Sequence, residues 1–150
     1  MESKKLKHTI EQIIETVSSL VPKYMDNIID KQVSDGNVSL CIMDEFGNVY
    51  GKLFGTDKIR IRQTYYTAWT KASQVWITGI ATGIYEKKVF NNEIDYKIYG
   101  ISKPDLIGWE GGQPVTLKDG TKLSIGFSGF RGVTDVEIVT KALEIVESEK

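Results

Sequence analysis

The chain has 150 residues, 41% of them hydrophobic and 26% charged, which suits one globular domain with a real core. A formal net charge of -1 without any Lys/Arg block argues against a nucleic-acid partner. No apolar run approaches the roughly eighteen residues of a membrane span, and one cysteine plus one histidine exclude an internal disulfide and a Cys/His structural zinc site.

Leu6, Ile10, Ile13, Ile14, Val17, Leu20 and Val21 recur at helical spacing, which predicts an amphipathic helix ending near Pro22. Lys4, Lys5 and Lys7 read as its solvated start. No apolar stretch follows the first lysines, so a signal peptide is not expected and a cytoplasmic location is. Residues 27–31 give no clear signal. Asp35-Gly36-Asn37 marks a turn. Val38 to Met43 alternate as a strand with both sets fairly apolar, which predicts cover on both faces. Asp44 to Asn48 is a hairpin turn into a second strand, Val49 to Phe54.

A second helix is predicted from Arg60 to Thr78, with Tyr65, Ala68, Trp69, Ala72, Val75, Trp76 and Gly79 along one face. Segment 80–106 gives a weaker signal, which fits an extension of that helix to about Phe90 followed by a loop holding Asp95 and Tyr96. Ile107 to Leu117 contains the Gly111-Gly112-Gln113-Pro114 break and a short strand. Lys118 to Thr121 is a tight turn, and Lys122 to Ser128 its partner strand. The last helix is expected to start at Thr134, with Thr134 and Glu137 as a capping box and Asp135 in the dipole-favoured first turn. Glycines mark places where the chain needs φ > 0 or where another group comes close; Gly120 suits a turn, whereas Gly111 and Gly112 suggest a surface something sits against. Helix, hairpin, helix, hairpin, helix predicts an α+β domain with an antiparallel sheet covered by helices.

Five motifs in this order resemble the haem-binding HbpS, GlcG and PduO C-terminal family. They are Asp44 with Gly47, Ala68 with Lys71-Ala72, Gly111-Gly112 with Pro114, Ile125-Gly126 with Ser128-Gly129, and Asp135 opening the last helix. The resemblance spans residues 5–146. It implies a single domain over 1–150 with a profilin-like fold, a five-stranded antiparallel sheet flanked by helices, and a homo-oligomer. It also implies a small-ligand-binding accessory protein, with haem or a corrinoid-type molecule as ligand. Trp69 and Trp76 depart from the Ala- and Thr-rich helix usual in the family, and Ser124 stands where a glycine is common.

The candidate cofactor-binding residues are His8, Lys71, Gly111, Gly112, Pro114, Ser128, Gly129 and Asp135. His8 is the one histidine and so the obvious axial haem ligand, but it falls opposite the apolar stripe of its helix, where a plain surface histidine is the simpler reading. Lys71 either lays its stem over the core or pairs with a carboxylate such as Asp135 or with a ligand's acid group. Tyr65, Trp69 and Trp76 read first as core or subunit contacts and second as a stacking platform for a flat ligand. Nothing marks Ser128 as an activated nucleophile. Two alternatives stand beside the accessory-protein reading: an enzyme acting on a small hydroxy acid or aldehyde through Lys71 and Asp135, and a structural oligomer without a ligand.

Overall fold

A computed structural model describes residues 3–101 and 107–149. The first helix, α1 (Ser3–Tyr24), buries Leu6, Ile10, Ile13, Val17, Leu20 and Val21, the stripe its periodicity predicts. Pro22 does not stop it; the helix runs one further half-turn, to Tyr24. A short helix, α2 (Ile28–Ser34), follows where the sequence gives no clear signal. Its start is fixed by the Asn27 side chain, which accepts hydrogen bonds from the backbone N–H of Ile29 and Asp30.

The strands β1 (Val38–Asp44) and β2 (Val49–Phe54) form the expected hairpin. The Asp44 carboxylate closes its turn by accepting from the N–H groups of Phe46 and Asn48, each at 2.9 Å. The long helix α3 spans Lys58–Thr78 and stops at Gly79, whose φ of 71° places it in the left-handed region. In segment 80–106 a helix does run to Phe90, but as the separate α4 (Thr82–Phe90) rather than an extension of α3, and Tyr96 opens a 3₁₀ turn (Tyr96–Tyr99) instead of lying in a loop. Residues 102–106 of that segment lie outside the described residues. The second hairpin is β3 (Gly112–Thr116) and β4 (Lys122–Ser128), and α5 covers Gly132–Ser148.

The sheet is antiparallel with order β2-β1-β4-β3. Among the described residues it has four strands, not the five that the family resemblance implies; between α3 and β3 they form α4 and a 3₁₀ turn. All seven residues of β1 are buried, as expected of a strand covered on both faces. Val38, Leu40 and Ile42 point one way, into a core shared with α1, α5 and alternate residues of β4. Cys41 and Met43 point the other way, against Ala68 and Ala72 of α3.

The α3 layer packs unusually close. In β4, Gly126 lies opposite both Cys41 and Gly112. A Cβ at Gly126 would fall on the Ala68 carbonyl oxygen and within 2.8 Å of the Ala72 nitrogen. The helix backbone therefore rests on the sheet through Gly126, Ala68 and Ala72, all small. This sets α3 low enough for its next inward residue, Lys71, to reach the C-terminal end of β4. The inward face of α3 is accordingly Ile61, Thr64, Ala68, Lys71, Ala72 and Val75 rather than the aromatic stripe. Trp69 and Trp76 stand outward, 44% and 48% exposed, and only Tyr65 is partly buried against Cys41.

Candidate functional site

Three segments meet where β4 ends: the middle of α3, the stretch 107–111 that leads into β3, and the first turn of α5. Lys71 is buried at their junction. Its Nζ donates to the Phe127 carbonyl at 2.9 Å and to Asp135 Oδ2 at 3.4 Å. Asp135 is equally buried, and its Oδ1 accepts from the Phe130 N–H at 3.0 Å. Lys71 thus lies inside the protein and pairs with Asp135, one of the readings its sequence position allows.

The first turn of α5 explains how Asp135 is held. The helix begins at Gly132 with Arg131 as its N-cap, so Thr134 is not a cap and the capping box does not form. Thr134 Oγ1 instead donates to Asp30 Oδ2 at 2.8 Å. Asp30 is buried, and it also accepts from the Arg131 backbone N–H and from the Arg131 guanidinium at both carboxylate oxygens, each at 3.0 Å. This two-pronged pair fastens α2 to the start of α5. Burial alone pushes the Asp30 carboxyl up, but the Arg131 and Thr134 hydrogen bonds outweigh it and hold the group below its ordinary range.

The segment 107–111 is tied down by two side chains of neighbouring helices. Gln74 donates to the Ile107 carbonyl at 2.8 Å and accepts from the Ile107 N–H at 3.2 Å. Thr82 Oγ1 donates to the Trp109 carbonyl and accepts from the Gly112 N–H at 3.2 Å. Between these anchors Gly111 takes φ 121°, and a Cβ there would lie 2.5 Å from the Phe127 carbonyl oxygen and 2.8 Å from Lys71 Nζ. Glycine is required here by conformation and by space together. Gly112 is not in the left-handed region, but a Cβ on it would meet Thr82 Cγ2 at 2.5 Å.

The result is a cavity of about 520 Å³ with Lys71 and Asp135 in its floor, Ser128 and Gly129 on one wall, and Arg60 and Trp109 among its other lining residues. Burial pushes the Lys71 ammonium down from its ordinary value, with Asp135 and Glu110 opposing. Burial likewise raises the Asp135 carboxyl to about 7, against the pull of Lys71 and of the Phe130 N–H. Both shifts disfavour a fully ionised pair. A second cavity of about 650 Å³ adjoins the first across Gly108 and Glu110, and Gly111, Gly112 and Pro114 line it.

The structure therefore gathers Lys71, Gly111, Ser128, Gly129 and Asp135 around one point, with Gly112 one residue further along β3 and Pro114 exposed beyond it. His8 is exposed on α1, in the helical layer across the sheet from α3. That separation sets aside a Ser128-centred triad, since the chain's histidine is on the other side. Sequence reading missed Arg60, Trp109 and Glu110 at the cavity, Gln74 and Thr82 that anchor the segment beside it, and Asp30 behind it. The Gly-Trp-Glu-Gly-Gly run at 108–112 carries one signal that could have found two of them, an aromatic and an acid beside paired glycines. Among the described residues, no group of three or more His, Cys, Asp or Glu side chains is placed to hold a metal ion, and no helix is long and apolar enough to cross a membrane.

This is an α+β domain with a buried lysine–aspartate pair in the floor of a cavity between helix and sheet. Solved structures of the family that the motifs resemble share its fold. The complex of PduOC with haem superposes with a TM-score of 0.68 at 17% identity, covering 91% of each chain. Klebsiella pneumoniae protein ORFY, a DUF336 protein, gives 0.65 at 17% identity, covering 91% of this chain and 88% of that one. A double mutant of Streptomyces reticuli HbpS gives 0.56 at 20% identity, covering 86% and 83%. No family model and no curated protein matches the sequence.

Proposed function

We propose that this chain is a small-ligand-binding accessory protein that seats an acid-bearing molecule in the cavity above Lys71 and Asp135. The observation that carries this reading is Lys71 itself. Burying a lysine costs several kcal/mol unless its charge is compensated, and this one, paired with Asp135, lines a cavity large enough for a small organic ligand. Arg60 on the same cavity adds a second cation for a carboxylate.

Haem is the first ligand to test, because the PduOC structure of the same fold was solved with it. Its carboxylates suit Lys71 and Arg60, and its flat face suits Trp109, which is 71% exposed. Among the described residues the cavity lining contains no histidine, cysteine, methionine or tyrosine, so these residues fit the acid groups of haem but not axial ligation of its iron. Nothing in the cavity supports a corrinoid. The test is a hemin titration followed by absorbance, with Lys71→Met alongside. Binding weakened about tenfold or more by the substitution is the expected result, since a hydrogen bond to a charged group contributes about 1.5–3 kcal/mol. Equal affinity in the two proteins would place the ligand elsewhere. A homo-oligomer is proposed on separate grounds: the outward face of α3 leaves Tyr66, Trp69, Trp76 and Ile77 between 44% and 61% exposed. Light scattering at micromolar concentration that shows only monomer would remove that part.

A further inference from the structure

The floor of the cavity carries an arrangement that binding alone does not require. Among the described residues, Lys71 Nζ has two hydrogen-bond acceptors, the Phe127 carbonyl at 2.9 Å and Asp135 Oδ2 at 3.4 Å. A neutral amine has two hydrogens and one lone pair. With both hydrogens directed at those acceptors, the lone pair is committed to neither, and Lys71 is one of the residues that line the cavity. Gly111 leaves room beside the nitrogen, since a Cβ there would lie 2.8 Å from Nζ.

We propose that Lys71 is a Schiff-base lysine, forming an imine with a small aldehyde or keto acid held in the cavity, with Asp135 moving the protons. The proposal rests on the reading of this cavity as the binding site for a small acid-bearing molecule. The amine nitrogen attacks the carbonyl carbon while the Asp135 carboxyl gives its proton to the carbonyl oxygen. One amine hydrogen then returns to Asp135, leaving a neutral carbinolamine. Asp135 next protonates the hydroxyl, which leaves as water, and the C=N bond forms as an iminium beside the Asp135 carboxylate. No electrons are exchanged with another reactant: the amine, the carbonyl compound and the Asp135 proton give the iminium, water and the Asp135 carboxylate. Burial lowers the Lys71 proton affinity and raises that of Asp135, which shifts the pair toward the free amine and protonated acid this sequence starts from. Arg60, on the same lining, gives a carboxylate-bearing carbonyl compound a counter-charge.

The test treats the full chain with pyruvate and sodium cyanoborohydride, with acetaldehyde as the carbonyl compound lacking a carboxylate and lactate as the carboxylate lacking a carbonyl. The expected result is one reduced adduct per chain in the intact mass, mapped to Lys71. Surface lysines with an ordinary pKa near 10.4 stay protonated and label slowly. Lys71→Arg should abolish the adduct, because a guanidinium does not deprotonate. Asp135→Asn should slow trapping about a hundredfold, the scale of a lost general acid–base. Mapping on the unsubstituted protein keeps the test valid should a variant fold poorly. Label spread over surface lysines with Lys71 unmodified overturns the proposal. So does a lactate- and pyruvate-dependent rise in melting temperature without an adduct, which would leave the cavity a plain binding site. Neither adduct nor melting shift overturns the imine, and the binding reading with it for acids of this size.

Discussion

Lys71→Met tests the buried pair through its pH dependence. The substitution keeps the length of the side chain and removes the cation that faces Asp135. In the folded protein the Asp135 carboxyl is raised from 3.8 to about 7, first by burial and against the pull of Lys71. A carboxyl whose folded pKa lies above its unfolded value contributes stability that is fully present below the unfolded pKa and is lost as pH rises through the folded one. In the wild type that loss ends near pH 7. Without Lys71 the carboxyl is pushed higher still, so the variant keeps losing stability above pH 7 at about 1.4 kcal/mol per pH unit. The lysine acts in the same direction. Its folded pKa is lowered by burial, so the wild type regains stability as pH climbs towards the unfolded value of 10.5, and the variant does not. The difference between the two proteins should therefore widen by about 2 kcal/mol from about pH 6 to about pH 8.5. Urea unfolding across that range measures it directly, provided the slope m is shared. Adding Asp135→Asn to the Met variant should flatten the widening. A gap that stays constant or narrows as pH rises would refute the reasoning, because Asp135 would then not be the group Lys71 stabilises.

Gly112→Val should lower stability more than Gly47→Ala and weaken ligand binding, because its new atoms collide with Thr82 and the Lys71 backbone, whereas Gly47 has open space around it and only its φ of 85° to strain; overpacking of this kind costs about 1–3 kcal/mol, and equal urea midpoints for the two variants would contradict it. His8→Ala should change stability by less than about half a kcal/mol, as for other exposed positions. It should also leave any haem spectrum unchanged, because His8 is not among the residues of the Lys71 cavity; a lost absorption band would move the haem site to α1. Asp30→Asn should lower the urea midpoint at neutral pH, and the deficit should close as pH falls below about 4. The Asp30 carboxyl is held below its ordinary 3.8, so its contribution is present above the unfolded pKa and lost as pH drops through the folded one. A deficit that persists in acid would assign the loss to packing.

The parts of this fold that could be read from the sequence are those with local causes. The stripe of α1, the Asp44 hairpin and the limits of β1, β2 and β4 follow from periodicity and turn residues within a few positions of each other. Where the cause is distant, reading fails. α2 has seven residues and no stripe of its own; Asn27 starts it, and Asp30 fixes it to Arg131 from 101 residues away. Thr134 looks like a helix cap only until that same Asp30 takes its hydroxyl. The aromatic stripe of α3 looks like a core face only until Gly126 is known to sit beneath Ala68 and Ala72, which brings the small face inward and turns the tryptophans out. The site divides in the same way. Lys71, Gly111 and Asp135 stand in motifs that a sequence can display. What makes them a site is the depth at which α3 packs, and that depth is set by the missing side chain of Gly126. A longer residue there would lift the helix and draw Lys71 Nζ away from the Phe127 carbonyl. The chemistry of the cavity thus depends on a glycine that touches no ligand, and the separation of Lys71 from Asp135 is a consequence of helix-on-sheet packing rather than of either residue's own neighbours in the chain.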